Sequence, residues 1–154
     1  MLIKFLFKAF FLLLIFPFGS MAAISLAERL VTLNTAINYD EVYNKALEEM
    51  QNLPTKEKEK LSKELSAILL NDSNSERRAN AAMAIGDMCS EVKSNAQYLV
   101  KSAKDKEKFV RQGTVSALKK CGKSPEVITA IKSLNKDPDE TVRVMVEMAL
   151  EELK

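Results

Sequence analysis

"DKEKFVRQGTVSAL" at residues 105–118 and "DPDETVRVMVEMAL" at 137–150 share one sparse frame: Asp, five residues, Arg, five residues, Ala-Leu. "DSNSERRANAAMAI" at 72–85 repeats it with Ile as the last residue, so Asp72/Arg78, Asp105/Arg111 and Asp137/Arg143 recur at intervals of 33 and then 32 residues. A fixed period in this range marks a stacked helical repeat. The columns around each Arg show what the repeat is for. One residue before Arg stand Arg77, Val110 and Val142; three after, Ala81, Thr114 and Val146. Six and seven after come Ala84-Ile85, Ala117-Leu118 and Ala149-Leu150, and ten after come Met88, Cys121 and Leu153. These offsets fall on one stripe of a 3.6-residue helix. The small residue at the sixth position lets a neighbouring helix approach closely.

A second helix precedes each Arg helix. "KLSKELSAILL" (60–70) aligns Leu61, Leu65, Ile68 and Leu69, and "VKSNAQYLVKSA" (92–103) aligns Val92, Ala96, Leu99 and Ala103. "EVITAIKSL" (126–134) does the same with Val127, Ala130, Ile131 and Leu134. Helix starts are predicted at an N-cap Asp137 with Pro138 and Glu140 behind it, and at a Ser73/Glu76 capping box. Gly122 to Glu126 punctuates the turn into the last linking helix. One helix pair cannot bury its stripe alone, but stacked pairs make a continuous core.

Composition agrees once the beginning of the chain is set apart. Lys4 and Lys8, the apolar run Ala9–Phe18, the breakers Pro17 and Gly19, and small Ser20 and Ala22 read as a secretory signal peptide over 1–22, cleaved after Ala22. The rival is a membrane anchor over residues 5–27. Without 1–22, 132 residues remain, with 21 basic and 21 acidic side chains. That neutral balance gives no case for nucleic-acid binding. The expected location is therefore outside the cytoplasm, periplasmic or secreted. Membrane contact comes only through an uncleaved N-terminus or weak attraction to anionic headgroups. Residues 23–55 lack the Asp-x5-Arg frame. A short helix near Ile24–Leu33 and another over Asn38–Pro54, with Tyr43, Leu47 and Met50 on one face, read as an N-terminal cap. Residues 56–154 then hold three repeats.

The residues "DSNSERRANAAMAIGDM", "DKEKFVRQGTVSALKKCG" and "DPDETVRVMVEMAL" resemble HEAT repeats, in particular the short bacterial type grouped with phycobilisome-lyase repeats. The resemblance covers about residues 56–154. It implies an all-α, right-handed α-solenoid of stacked antiparallel helix pairs, an armadillo-type superhelix. It also implies that Asp72, Arg78, Asp105, Arg111, Asp137 and Arg143 are structural, tying neighbouring repeats by hydrogen bonds. By the same resemblance the linking helices line the concave side, which makes Lys93, Gln97, Lys101 and Thr129 candidates for contact with a partner.

Little in the chain supports catalysis. It contains no His, which removes His-based nucleophile activation, the usual neutral-pH base and the commonest zinc ligand. Four glycines form no phosphate loop, and two cysteines without CxxC spacing form no zinc site. No enzyme activity, cofactor or metal is expected. The leading reading is an exported scaffold or adaptor that binds another protein. The alternatives are a lyase- or chaperone-like protein acting on a cofactor-bearing partner, which the resemblance implies, or a membrane-tethered module.

Three local features sharpen that reading. Residues 101–123 carry a net charge of +6 and residues 137–153 a net −5. Solvated helix faces explain both. The sharper reading is a basic band, including Lys101, Lys104 and Lys108, that meets an acidic protein. Phe109 occupies a column that is polar in the other copies (Glu76, Thr141), so it either packs on the preceding turn or stands out as an anchor. Cys89 and Cys121 both lie where Arg helices exit, so a bridge between repeats stays open. However, packed helices sit about 8–10 Å apart and bridged Cα atoms about 4.4–6.8 Å, a mismatch that weighs against the bridge. Cys121 reads as a core residue.

Overall fold

The computed structural model describes residues 24–32 and 39–154. The expected signal segment, 1–22, lies outside the described residues. Among the described residues eight helices run in order: α1 (Leu26–Leu30), α2 (Tyr39–Asn52), α3 (Thr55–Asn71), α4 (Ser75–Asp87), α5 (Asn95–Ser102), α6 (Lys108–Lys120), α7 (Pro125–Ser133) and α8 (Glu140–Glu152). No strand occurs among the described residues. The Arg helices α4, α6 and α8 pack one on the next, and the linking helices α3, α5 and α7 make a second row against them. α1 lies against α2, α3 and α4. This is the α-solenoid that the period predicts.

The core is the periodic stripe. Ala81, Ala84, Ile85, Ala117, Leu118, Thr114 and Val146 are fully buried, and Ala149 and Met88 nearly so. The three alanines of the sixth column therefore share one environment. The linking helices contribute Leu61, Leu65, Leu69, Val92, Leu99, Val127 and Ile131 from the opposite row. Asn95 is the polar exception. It is fully buried, its side-chain amide donates to the Ile85 carbonyl at 2.9 Å, and its Oδ1 has no protein partner.

Helix starts depart from the expected positions. The N-caps are Asn74, which accepts from the Glu76 and Arg77 amides, and Asp139, which accepts from the Val142 amide. They replace Ser73 and Asp137. The reason is competition, because the repeat aspartates are already committed inside the turn. Asp72, Asp105 and Asp137 each accept the backbone N–H two residues on, at 2.8–2.9 Å. Such an Asx turn delays the helix until the next residues can cap it. The signal at Gly122 holds: it adopts φ +79°, Ser124 caps α7, and Pro125 begins it.

Two other expectations change. Arg77 stands in an apolar column, yet its guanidinium reaches out to Asp72 and Glu28 instead of entering the core. Lys58, in the charged run of residues 56–60, is buried. Its Nζ donates to the Gln51 carbonyl at 2.9 Å and to Glu91 at 2.6 Å, joining the start of α3 to the turn after α4.

The closest approach of the stack is between α4 and α6. A Cβ placed on Gly86 would lie 2.7 Å from the Ala117 Cα, and one on Gly113 would lie 3.2 Å from the Ala79 carbonyl oxygen. The first distance leaves no room for a methyl group, because the obstacle is backbone. Gly86→Ala is expected to destabilise the protein by about 1–3 kcal/mol, net of the helix-propensity gain of about 1 kcal/mol for removing a glycine. Urea unfolding with an unchanged m-value is the check; a stabilised variant would contradict this packing.

Candidate functional site

The repeat aspartates and arginines form a ladder whose geometry is the same at each complete rung. Arg78 Nη1 donates to the Asp72 and Ser73 carbonyls of its own turn, at 2.8 and 3.2 Å. Its Nε and Nη2 reach forward to both oxygens of Asp105 in the next repeat, at 2.8 and 2.9 Å. Arg111 repeats this with the Asp105 and Lys106 carbonyls, both at 2.9 Å, and with both oxygens of Asp137 at 2.6 and 2.8 Å. One planar fork thus closes its own turn and chelates the carboxylate of the following one. Lysine could not do this, since its ammonium is a point donor.

The electrostatics follow. Hydrogen bonds from Arg111 hold the Asp137 carboxyl below the usual range, against the opposing effect of burial, with help from the Asp139 N–H. For Asp105 burial pushes upward, but Arg78 and the Glu107 N–H outweigh it and the net direction is also down. Asp72, first of the series, has no preceding Arg of the frame; Arg77 lowers it instead. All three carboxylates are thus engaged in ion pairs inside the stack.

The two cysteines are bridged, with Cα atoms 4.7 Å apart. This corrects the expectation from helix spacing, and the error is geometrical. Interaxial distances run between axes, while Cα atoms lie about 2.3 Å off each axis. Facing Cα atoms therefore come about 4.6 Å closer than the axes do. The contact of Gly86 with Ala117 sits one turn upstream of the cysteines and brings the two exits together. Sequence carried the signal in its small residues at those positions.

The proposed contact residues fall into separate groups. Lys93, Gln97 and Lys101 are exposed along and just before α5, and Lys104 is exposed where α5 ends. Thr129 is exposed on α7, with its hydroxyl donating to the Pro125 carbonyl at 2.7 Å. A shallow depression between α5 and α7, with Val100, Lys104, Pro125, Glu126, Thr129 and Ala130 in its lining, brings Lys104, Glu126 and Thr129 together. Lys108 and Phe109 lie elsewhere, at the first turn of α6 beside Pro138 and Asp139. Phe109 is 56% exposed, with the Lys108 Nζ 5.5 Å from its ring centre.

The basic band is smaller than its sequence suggests. Lys108 pairs with Asp139 at 3.1 Å, Lys119 with Glu152 at 2.8 Å, and Lys120 with Asp87. Lys123 donates to the Lys154 carbonyl, and Arg111 serves the ladder. Within this band Lys101, Lys104 and Lys106 have neither a side-chain ion pair nor a side-chain hydrogen bond among the described residues. Three pairs, Lys108–Asp139, Arg111–Asp137 and Lys119–Glu152, thus join the two oppositely charged segments. Among the described residues no group of His, Cys, Asp and Glu could hold a metal ion.

The architecture defines an α-solenoid of helix pairs joined by a charged ladder and an inter-repeat disulfide. Residues 62–151, more than half of the chain, match the family model of HEAT repeats, and the chain belongs to the HEAT-repeat family. No curated protein matches it. HEAT repeats commonly serve as protein-interaction scaffolds, and the family is typically non-catalytic.

Asp137→Ala is expected to cost about 3–5 kcal/mol, because it strands a desolvated guanidinium. The depressed carboxyls also set a pH dependence. Their contribution is complete above the unfolded-state value of about 3.9 and is lost as pH falls through the lower folded-state values. Acid titration of stability should show this loss, and Asp137→Asn should reduce its steepness; equal slopes would contradict the ladder. Reducing the disulfide, which spans 32 residues, should cost about 3–4 kcal/mol. Denaturant unfolding with and without reductant measures it, and coincident curves would be inconsistent with a closed bridge.

Proposed function

We propose that this protein is an exported, non-catalytic HEAT-repeat scaffold that binds a protein partner with acidic character through the surface of its linking helices. In this reading α1 and α2 form the N-terminal cap, and residues 1–22 direct export and are removed. The disulfide supports an oxidising location, since such bridges persist outside the cytosol.

The observation that carries the proposal is the depression between α5 and α7. There Lys104 and Thr129 converge over the apolar floor of Val100 and Ala130, with Lys101 nearby on α5. Lys101 and Lys104 have no ion pair among the described residues, so their charge is available to steer an acidic surface, with Lys106 beside them next to Asp105. Lys108, grouped with them on sequence grounds, is tied to Asp139 and is set aside.

Capture from the cell envelope tests the reading, with mass spectrometry of the bait confirming an N-terminus at Ala23. Changing Lys101, Lys104 and Lys106 together to Glu should reduce recovery of the partner at least tenfold and remove its salt dependence. Undiminished recovery by the triple variant would sink the proposed surface, and an intact residue 1 would sink export by cleavage.

A further inference from the structure

α8 ends the described stack on the face that its two predecessors bury. Counted from each Arg, α4 receives α6 at the first, fourth and eighth positions. There Ala79 meets Gly113, Ala82 is fully buried, and Gly86 meets Ala117. In α6 the same positions hold Gln112, which donates to Asp139 at 3.4 Å, the buried Val115, and Lys119, paired with Glu152. In α8 they hold Val144, Glu147 and Glu151, all exposed, with Met148 beside them 59% exposed.

The ladder ends in the same way. Arg143 Nη1 donates to the Asp137 and Pro138 carbonyls at 2.6 and 3.2 Å, as its counterparts do in their own turns. Its Nε and Nη2, the two donors with which Arg78 and Arg111 chelate the next aspartate, meet no carboxylate among the described residues. A half-used fork beside an uncovered Val144 and Met148 reproduces the receiving half of an internal joint.

We propose that this end of the stack is a docking surface for a helical hairpin of a partner protein that carries an aspartate in its turn. The internal joints state the chemistry of that hairpin. Its carboxylate is folded onto its own backbone N–H and presents both oxygens to Arg143. A small residue eight positions later faces Val144, as Gly113, eight after Asp105, faces Ala79. A basic residue fifteen positions after the aspartate pairs with Glu151, as Glu152, fifteen after Asp137, pairs with Lys119, which holds in α6 the position of Glu151. Glu147 replaces the buried Ala82 and Val115, so the partner must bring a hydrogen-bond donor there; a wholly apolar face would bury the carboxylate unpaired.

A second copy of this chain does not meet these terms. Its Asp105 and Asp137 are chelated within their own stack. Its Asp72 is held by Arg77, which also binds Glu28 of α1, and α1 packs over α3 and α4. Every aspartate of the frame is engaged. The site is also separate from the α5–α7 depression, so it extends the proposed function and either surface can fail alone.

The test supplies the missing half in cis. A copy of residues 90–123, with Cys121→Ser in the copy, is joined directly after Lys154, the register in which Ser90 follows Cys89. It provides Asp105, Gly113, Lys120 and, near Glu147, the Ser116 hydroxyl. Added helix by circular dichroism and a raised urea midpoint are expected. A cycle of Arg143→Ala against Asp105→Ala in the copy alone should show coupling of about tenfold or more in the unfolding equilibrium constant, a size that contacting residues reach. An added segment that stays unfolded, or effects additive within about twofold, would overturn the proposal. So would reversible dimerisation of the unmodified chain that Met148→Glu abolishes, since the face would then belong to a second copy.

Discussion

The guanidinium fork of Arg78 and Arg111 is the interaction on which the stack depends. Each arginine has to satisfy two carbonyls behind it and a carboxylate ahead of it, and only one spacing of the two turns allows both. The pairs are largely withdrawn from water: Asp137 keeps 2% of its side-chain exposure and Arg111 10%. Desolvation on that scale cancels much of the attraction between charges. Their main effect is therefore specificity. A repeat displaced by one turn would leave buried charges without partners, so the ladder penalises wrong registers more than it deepens the right one.

Around that ladder the joints differ in closeness. α4 and α6 meet through Gly86, Ala117, Ala79 and Gly113, backbone against backbone, and the Cys89–Cys121 bridge locks their exits. α8 brings Met145 to the position where α6 has Gly113. A depression lined by Val115, Ser116, Met145 and Met148 separates α6 from α8. Ion pairs from Lys108 and Lys119 span that wider joint. The surfaces proposed for binding lie outside the joints, on the linking helices and on the exposed face of α8.

Much of this was legible in the residues. The period and the buried columns at Ala84, Ala117 and Ala149 follow from spacing, because a helix repeats its faces every 3.6 residues wherever it is placed; the tie between Asp and Arg was implied by the resemblance to HEAT repeats. Helix starts at Asn74 and Asp139 were less so, since Ser73 and Asp137 look like caps until the turns closed by Asp72 and Asp137, and the Arg111 partner of Asp137 26 residues away, are known. Lys58 and Asn95 were missed for a related reason: each satisfies its polar head with a group on another element.

By itself the sequence determined that the stack is helical and built of three like units, each carrying an Asp and an Arg at one fixed spacing. Local periodicity suffices for that. Which charges remain for a partner was decided only by tertiary structure, because the cations of α6 and the carboxylates of α8 and its turn neutralise one another across a joint that no local pattern reveals. The disulfide was decided there too. Two exits come within bonding distance only where glycine and alanine remove the side chains that would hold the helices apart.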